Sequence, residues 1–191
     1  METHQKKNNM EKNYLLTILI LFMVAFIGKT AITYFSVKKS VKGKSPKLTT
    51  SMVLFATIFV IVLLNLTFFE FYWASYKYIG LTLVSIGFIL GIFGLVTIKN
   101  SWRIGIKYEQ KTNLITTGIY KFSRNPCFLS YYIMFLGYII VFPSFILTAL
   151  YLSLISIIHS MILDEEKYLQ SVHGQSYLEY KAKTNRYLTL R

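Results

Sequence analysis

Residues 124–166 read RNPCFLSYYIMFLGYIIVFPSFILTALYLSLISIIHSMILDEE, which is two apolar runs joined at a proline with charged residues at both outer ends. The runs cover 126–142 and 144–163, and Pro143 between them marks a sharp turn. The first run is short for a helix that crosses a membrane. The stretch therefore predicts a helical hairpin that returns its acidic end to the arginine at its start.

Three further apolar runs precede the hairpin, at residues 13–37, 49–69 and 79–98. A spanning helix needs about 20 mostly apolar residues, so we expect an all-α, polytopic transmembrane bundle with about five spans. Charged residues make up only 15% of the chain, against about 25% in soluble domains. Gly87 and Gly91 have the spacing that lets membrane helices pack closely. The first run is too long for a cleavable signal peptide.

Lysine and arginine give the chain a formal net charge of +13, and most of them lie in segments 38–47, 99–125 and 164–191. Five spans would place these three segments on one side of the membrane, which the positive-inside rule predicts to be cytoplasmic. The basic composition is then explained without nucleic acid as a partner. Residues 1–12 are expected to form a polar tail, and the last segment predicts a surface helix broken at Gly174.

Polar side chains that could carry chemistry are concentrated in residues 111–128 and 159–180. The hairpin would bring Arg124 close to the acids at 164–166. One interpretation is an interfacial ion pair, with Asp164 at the N-terminus of a polar helix. The other is a pocket for a charged cofactor at the membrane surface. Scattered histidines and a single cysteine predict no metal site.

Four motifs in and around these segments resemble a known family. SWRIGI at 101–106 and LITTGIYKFSRNP at 114–126 are followed, one hairpin later, by EE at 165–166 and HGQSYLEY at 173–180. This order is similar to that of the integral membrane methyltransferases, which include isoprenylcysteine carboxyl methyltransferase and the phospholipid N-methyltransferases. The resemblance covers residues 99–188 and ends in TNRYL, which is similar to the family's closing pattern.

The resemblance implies three N-terminal spans in residues 1–98 and a methyltransferase-like catalytic region in 99–191, closed by a cytoplasmic C-terminal helix. The first two spans carry no family motif and are expected to serve packing. S-adenosylmethionine is the implied cofactor, and Arg124 and Glu165 are the implied catalytic residues. The implied cofactor-binding residues are Asn113, Leu114, Ile115, Tyr120, Asn125, Pro126, Cys127, Phe128, Glu165 and Glu166.

Two departures from the family pattern bear on the methyl acceptor. The Arg-Asn-Pro turn at 124–126 replaces the family's Arg-His-Pro and is similar to that of bacterial members, which implies a bacterial inner membrane. The prenylcysteine enzymes have arginines just before the glutamate pair, whereas this chain has none between 125 and 185. His159 is the candidate substrate-binding cation there. A carboxylate acceptor needs no base whereas an amine must first lose a proton, so both acceptor types stay open.

Three functions are compatible with these patterns. The first is an S-adenosylmethionine-dependent methyltransferase that acts on a lipophilic small molecule or lipid. The second is an NADPH-dependent membrane reductase of the sterol-reductase type, because the six basic residues of 99–125 could hold the phosphates. The third is a scaffold without catalytic activity. The sequence predicts no particular oligomeric state.

Overall fold

The computed structural model describes residues 2–37, 45–68, 76–106 and 113–189. Three predicted features fall partly outside the described residues. They are the basic loop (38–44), the aromatic connection before the third span (69–75) and the middle of the polar segment that precedes the hairpin (107–112).

Six α-helices make up the described part of the chain, which contains no β-strand. Four of them are long and apolar enough to cross a membrane, and α4 is a shorter apolar helix of about 24 Å. The prediction of an all-α membrane bundle is confirmed. The helices are α1 (Glu2–Val37), α2 (Pro46–Phe68), α3 (Lys77–Thr97), α4 (Pro126–Val141), α5 (Phe145–His173) and α6 (Gln175–Lys183).

The first helix begins much earlier than predicted. Residues 2–12, expected to be a polar tail, are helical and continue directly into the first apolar run. Glu11 on this extension forms a 2.7 Å ion pair with Lys77 at the start of α3, and the two side chains are only 13% and 9% exposed. A partner held at this distance ties the polar end of α1 to the bundle.

The fifth helix also extends beyond the predicted boundary. α5 continues past Leu163 to His173 and is about 44 Å long, which exceeds the roughly 30 Å hydrocarbon core. Asp164 therefore lies inside α5, and the prediction that it starts a separate helix is wrong. Its carboxylate pairs instead with Lys47, at 2.6 Å. The predicted break at Gly174 is confirmed, because this residue adopts a φ of +53° between α5 and α6.

Glycines on one face of α3 allow α4 to approach very closely. A Cβ atom built on Gly87 would lie 2.7 Å from the backbone nitrogen of Met134, and one on Gly80 would lie 2.8 Å from the carbonyl oxygen of Gly137. These contacts involve backbone atoms, which cannot move aside as a flexible side chain can. The predicted role of Gly87 in close packing is confirmed, and α3 thereby fixes the position of the hairpin.

We expect Gly87→Ala to lower the free energy of unfolding by about 1–3 kcal/mol, because the added methyl group forces α3 and α4 apart. Gly28→Ala is the matched control, since nothing lies within 4 Å of a Cβ atom there. The control substitution should leave stability unchanged or raise it by up to about 1 kcal/mol through helix propensity. Thermal unfolding of both variants in detergent measures the difference, and equal melting temperatures would contradict the close contact.

Candidate ligand-binding site

A cavity of about 380 Å³ opens at the end of the bundle where α5 projects beyond its apolar run. Its apolar wall comes from α1, α2, α4 and α5, and its polar wall comes from the segments before α4 and from the polar part of α5. One continuous space thus joins an apolar end to a charged end. The apolar wall includes Phe26, Phe55, Phe59, Leu154, Ile158 and Met161, and the polar wall includes Arg103, Asn113, Tyr120, Arg124, Asn125 and Glu165.

A short 3-10 helix, Gly118–Lys121, places Tyr120 in the polar wall. Gly118 starts it with a φ of +59°, a conformation that favours glycine. The Tyr120 carbonyl accepts a 2.7 Å hydrogen bond from the hydroxyl of Tyr180 on α6. Burial raises the pKa of the Tyr120 phenol well above its usual value. The hydroxyl therefore stays protonated, and its hydrogen can go to Sγ of Cys127, 3.8 Å away, or to a ligand.

The consecutive acids Glu165 and Glu166 face different surroundings on α5. Successive side chains on an α-helix point about 100° apart, so the two carboxylates cannot share one environment. Glu165 is half-buried and lines the cavity, where it forms no ion pair with any described residue. The side chain of Glu166 is only 8% exposed and lies outside the cavity lining, in contact with two arginines.

Glu166 is the centre of a buried ion-pair cluster, which we call the Glu166 clamp (Arg124, Glu166 and Arg186). Its Oε1 atom is 2.6 Å from Nη2 of Arg124 and 2.8 Å from Nε of Arg186. Its Oε2 atom accepts a second bond from Arg186, at 3.0 Å. Arg124 also donates to the carbonyls of Thr184 and Lys181, at 2.9 and 3.2 Å. The arginine therefore holds α5 and the C-terminal tail (residues 184–189) against the turn before α4 (residues 122–125).

The tail also contacts the cavity wall through its backbone. The carbonyl of Arg186 accepts hydrogen bonds from Nδ2 of Asn125 and from Oγ of Ser123, at 3.2 and 3.3 Å. The Asn125 amide thus uses its nitrogen for the tail, and its oxygen accepts no hydrogen bond from the described residues. This oxygen is available to a donor in the cavity that Asn125 lines.

Most of the sequence-predicted site residues come together around the cavity. Three do not line it. Pro126 begins α4, Glu166 lies in the clamp, and His159 Nδ1 is 2.6 Å from the Tyr187 hydroxyl of the tail. The predicted residues that do line the cavity are Asn113, Leu114, Ile115, Tyr120, Arg124, Asn125, Cys127, Phe128 and Glu165.

Several cavity and clamp residues were missed by the sequence analysis. Arg186 lies in TNRYL, but the motif itself does not indicate a site residue there. Trp102 and Arg103 line the cavity within the SWRIGI motif, and Nε1 of Trp102 donates to Oγ1 of Thr30 on α1 at 3.2 Å. The first two spans pack in the core as expected, and α2 in addition supplies Phe55 to the cavity wall. No motif could have shown this, since an apolar wall residue and a packing residue look alike in sequence.

The helical bundle defines an integral membrane protein with a cavity at one end of its spans, which is the candidate ligand site. The chain belongs to the phospholipid methyltransferase family, whose sequence model matches residues 75–176. This region runs from the start of α3 to the first turn of α6. It therefore contains Tyr120, Asn125 and Glu165.

Two curated rice proteins are similar to the chain. They are named "Probable protein-S-isoprenylcysteine O-methyltransferase" and come from Oryza sativa subsp. indica and subsp. japonica. Each is 31% identical over 117 residues, which is 60% of this chain and 61% of the relative. The chain thus matches rather less than two thirds of the length of these relatives. The family resemblance predicted from the motifs is confirmed.

We expect Glu166→Gln to lower the free energy of unfolding by about 3 kcal/mol, because it leaves two guanidinium groups without their carboxylate. Asp164→Asn is the matched control, since it breaks the more exposed pair with Lys47 and should cost about 1 kcal/mol or less. Thermal unfolding in detergent measures both. Limited trypsin digestion should also cleave the chain after Lys183 faster in Glu166→Gln than in the wild type, and at the wild-type rate in Asp164→Asn. Equal losses in the two variants would contradict a structural role for the clamp.

Proposed function

We propose that the protein is an S-adenosylmethionine-dependent methyltransferase that methylates a lipophilic acceptor. The observation that carries this proposal is the single cavity in which Tyr120, Asn125 and Glu165 share a polar end that is continuous with an apolar end. A charged cofactor and a lipid-like acceptor can meet only in a space with both properties. Membership of the phospholipid methyltransferase family supports the same reaction class.

The residues of the polar end fit the chemical groups of S-adenosylmethionine. Small-molecule sites usually measure about 300–1,000 Å³, and this cavity has about 380 Å³. Glu165 can accept from the ammonium or the ribose hydroxyls and attracts positive charge. The amide oxygen of Asn125 can accept from an amino group, and the hydroxyl of Tyr120 can donate. Phe128 offers a π face to a cation or to the base.

S-adenosylmethionine would supply a methyl group bound to a positively charged sulfur. The acceptor would bond to the methyl carbon as the carbon–sulfur bond breaks, and the sulfur would leave as a neutral thioether. The chain has to hold the two reactants in line and exclude water. Glu165 attracts the positive charge of the donor, and the clamp keeps Asn125 and the turn before α4 in place. The apolar wall from α2 and α5 keeps water away from the reacting atoms.

The acceptor is proposed to enter from the bilayer and the cofactor from the cytoplasm. Met52 and Val60 of α2 belong to the apolar wall, and they are 38% and 48% exposed. A lipid chain can therefore pass from the membrane into the apolar end without crossing water. Positive charge on the tail and the cavity segments supports a cytoplasmic location for this end. We propose that the protein resides in the bacterial inner membrane.

The acceptor group itself is proposed to be an anion, such as a carboxylate. An ionised carboxylate is nucleophilic without a base, whereas an amine must lose a proton. His159 contacts Tyr187 outside the cavity lining, so it is poorly placed to remove that proton. Arg103 lines the cavity and brings positive charge to it. The names of the rice relatives also refer to O-methylation.

The reductase alternative gains no support from the family match or from the rice relatives. It would need a pocket for two phosphate groups. The polar wall contains two arginines, of which Arg124 is already paired with Glu166 in the clamp, and it also contains the acidic Glu165. One further arginine, Arg103, beside a carboxylate is a poor match to two phosphate groups.

Calorimetric titration of the full chain in detergent tests cofactor binding. We expect saturable binding of S-adenosylmethionine by the wild type and about ten- to hundredfold weaker binding by Glu165→Gln, because a hydrogen bond to a charged group contributes about 1.5–3 kcal/mol. The exposed Glu179→Gln on α6 is the matched control and should bind like the wild type. Unchanged affinity in Glu165→Gln would contradict the role of this residue. Tight binding of NADPH without binding of S-adenosylmethionine would favour the reductase.

The acceptor group can be identified from the chemical stability of the product. With a radiolabelled methyl donor, we expect transfer to a prenylated cysteine derivative that releases labelled methanol in base, as a methyl ester does. Transfer to phosphatidylethanolamine, an amine that gives a base-stable product, should be absent. Arg103→Gln should raise the KM for the carboxylate acceptor about tenfold or more. Base-stable label recovered in phosphatidylethanolamine would show that the acceptor is an amine.

A further inference from the structure

The tail and the turn before α4 share a surface that combines lysines with exposed apolar side chains. We call it the basic–apolar patch and define it as Lys121, Phe122, Lys181, Lys183 and Leu188. The three lysines are exposed, and the side chains of Phe122 and Leu188 are 48% and 55% exposed. This patch lies outside the cavity lining and has no role in the proposed reaction.

The patch is continuous because the tail is bonded to the turn. The backbone nitrogen of Thr189 donates to the carbonyl of Phe122 at 2.8 Å. This bond brings Leu188, the preceding residue, close to Phe122. The hydroxyl of Thr184 donates to the carbonyl of Lys121 at 3.4 Å. Residues that are 60 or more positions apart in the chain therefore form one surface.

The patch also lies close to the membrane boundary. α4 begins at Pro126, and the four-residue step from Phe122 can span at most about 14 Å. The clamp joins the same turn to Glu166, three residues beyond the end of the apolar run of α5. The turn is thus held close to the apolar bundle twice, by the chain that leads into α4 and by the ion pair with α5. The surface nearest to it is the headgroup layer of the protein's own bilayer.

We propose that the basic–apolar patch docks on the headgroups of anionic phospholipids and thereby holds the tail on the turn before α4. The lysines attract the headgroup phosphates, and the two apolar side chains enter the boundary between headgroups and acyl chains. An acidic protein would account for the lysines alone, whereas a bilayer accounts for the lysines and the exposed apolar groups together.

The charges around the patch favour an anionic partner. Nζ of Lys181 lies 4.0 Å from Oε2 of Glu166, but this carboxylate is already bonded to two arginines, and the lysine is 44% exposed. Glu179 is an exposed acid on the same helix and opposes docking. Among the described residues of this surface, lysines 121, 181 and 183 therefore outnumber Glu179.

Hydrogen exchange of the full chain in nanodiscs tests the proposal. The probe is the exchange rate of backbone amides in residues 184–189, compared between pure phosphatidylcholine and a mixture with phosphatidylglycerol. We expect slower exchange in the anionic lipid, by roughly five-fold for each docked lysine. High salt should remove the difference, because the charges are screened.

Three variants make the test specific. Lys181→Gln combined with Lys183→Gln should abolish the difference between the lipids, and Glu179→Gln should enlarge it. Lys6→Gln combined with Lys7→Gln removes the same charge at the opposite end of the bundle and should leave the difference unchanged. Equal exchange in both lipids would overturn the proposal, as would a difference that persists without Lys181 and Lys183. Protection by added polyglutamate in neutral nanodiscs, with no effect of lipid charge, would assign the patch to an acidic protein instead.

Discussion

Glu166 and the two arginines that contact it form the interaction on which the candidate site depends. The carboxylate lies on α5, while Arg124 precedes α4 and Arg186 belongs to the tail, so the cluster joins three separate segments. A buried charge without its partner is very costly, which makes the three segments assemble as a unit. This assembly also holds Asn125 of the cavity wall in place, because its side-chain amide donates to the carbonyl of Arg186. The ligand site is therefore built on the tail as much as on the helices.

Continuity of α5 beyond the apolar run gives the adjacent glutamates different roles. A helix rotates by about 100° per residue, and the same helix is anchored in the bundle by Leu154, Ile158 and Ile162. The rotational position of the polar segment is thus fixed by apolar packing below it. Glu166 is directed to the arginines, and Glu165 is left in the cavity wall. In a separate surface helix, as the sequence suggested, the apolar packing of the span would not have fixed the directions of Glu165 and Glu166.

The lengths of the apolar runs predicted the helices well, whereas side-chain partners were harder to predict. The hairpin around Pro143 correctly brought Glu165 into one cavity with Tyr120 and Asn125. The partners of the three consecutive acids could not be predicted from spacing alone. They depend on the direction in which α5 points the side chains of Asp164 and Glu166. Arg186 was missed because its pairing with Glu166 requires the chain to reverse at Gly174 and again after α6. Such reversals have no simple sequence period.

The position of the cavity at the membrane boundary follows from the lengths of two helices. α4 is about 24 Å long whereas α5 is about 44 Å long, and the two are joined by a tight turn at Pro143. The excess length of α5 must therefore project past the start of α4, on the side where the Arg-Asn-Pro turn lies. The projecting part meets polar segments, and the part below it stays among apolar helices. The unequal arms of the hairpin thus place the cavity between polar segments at one end and the apolar helices, α1 and α2 included, at the other.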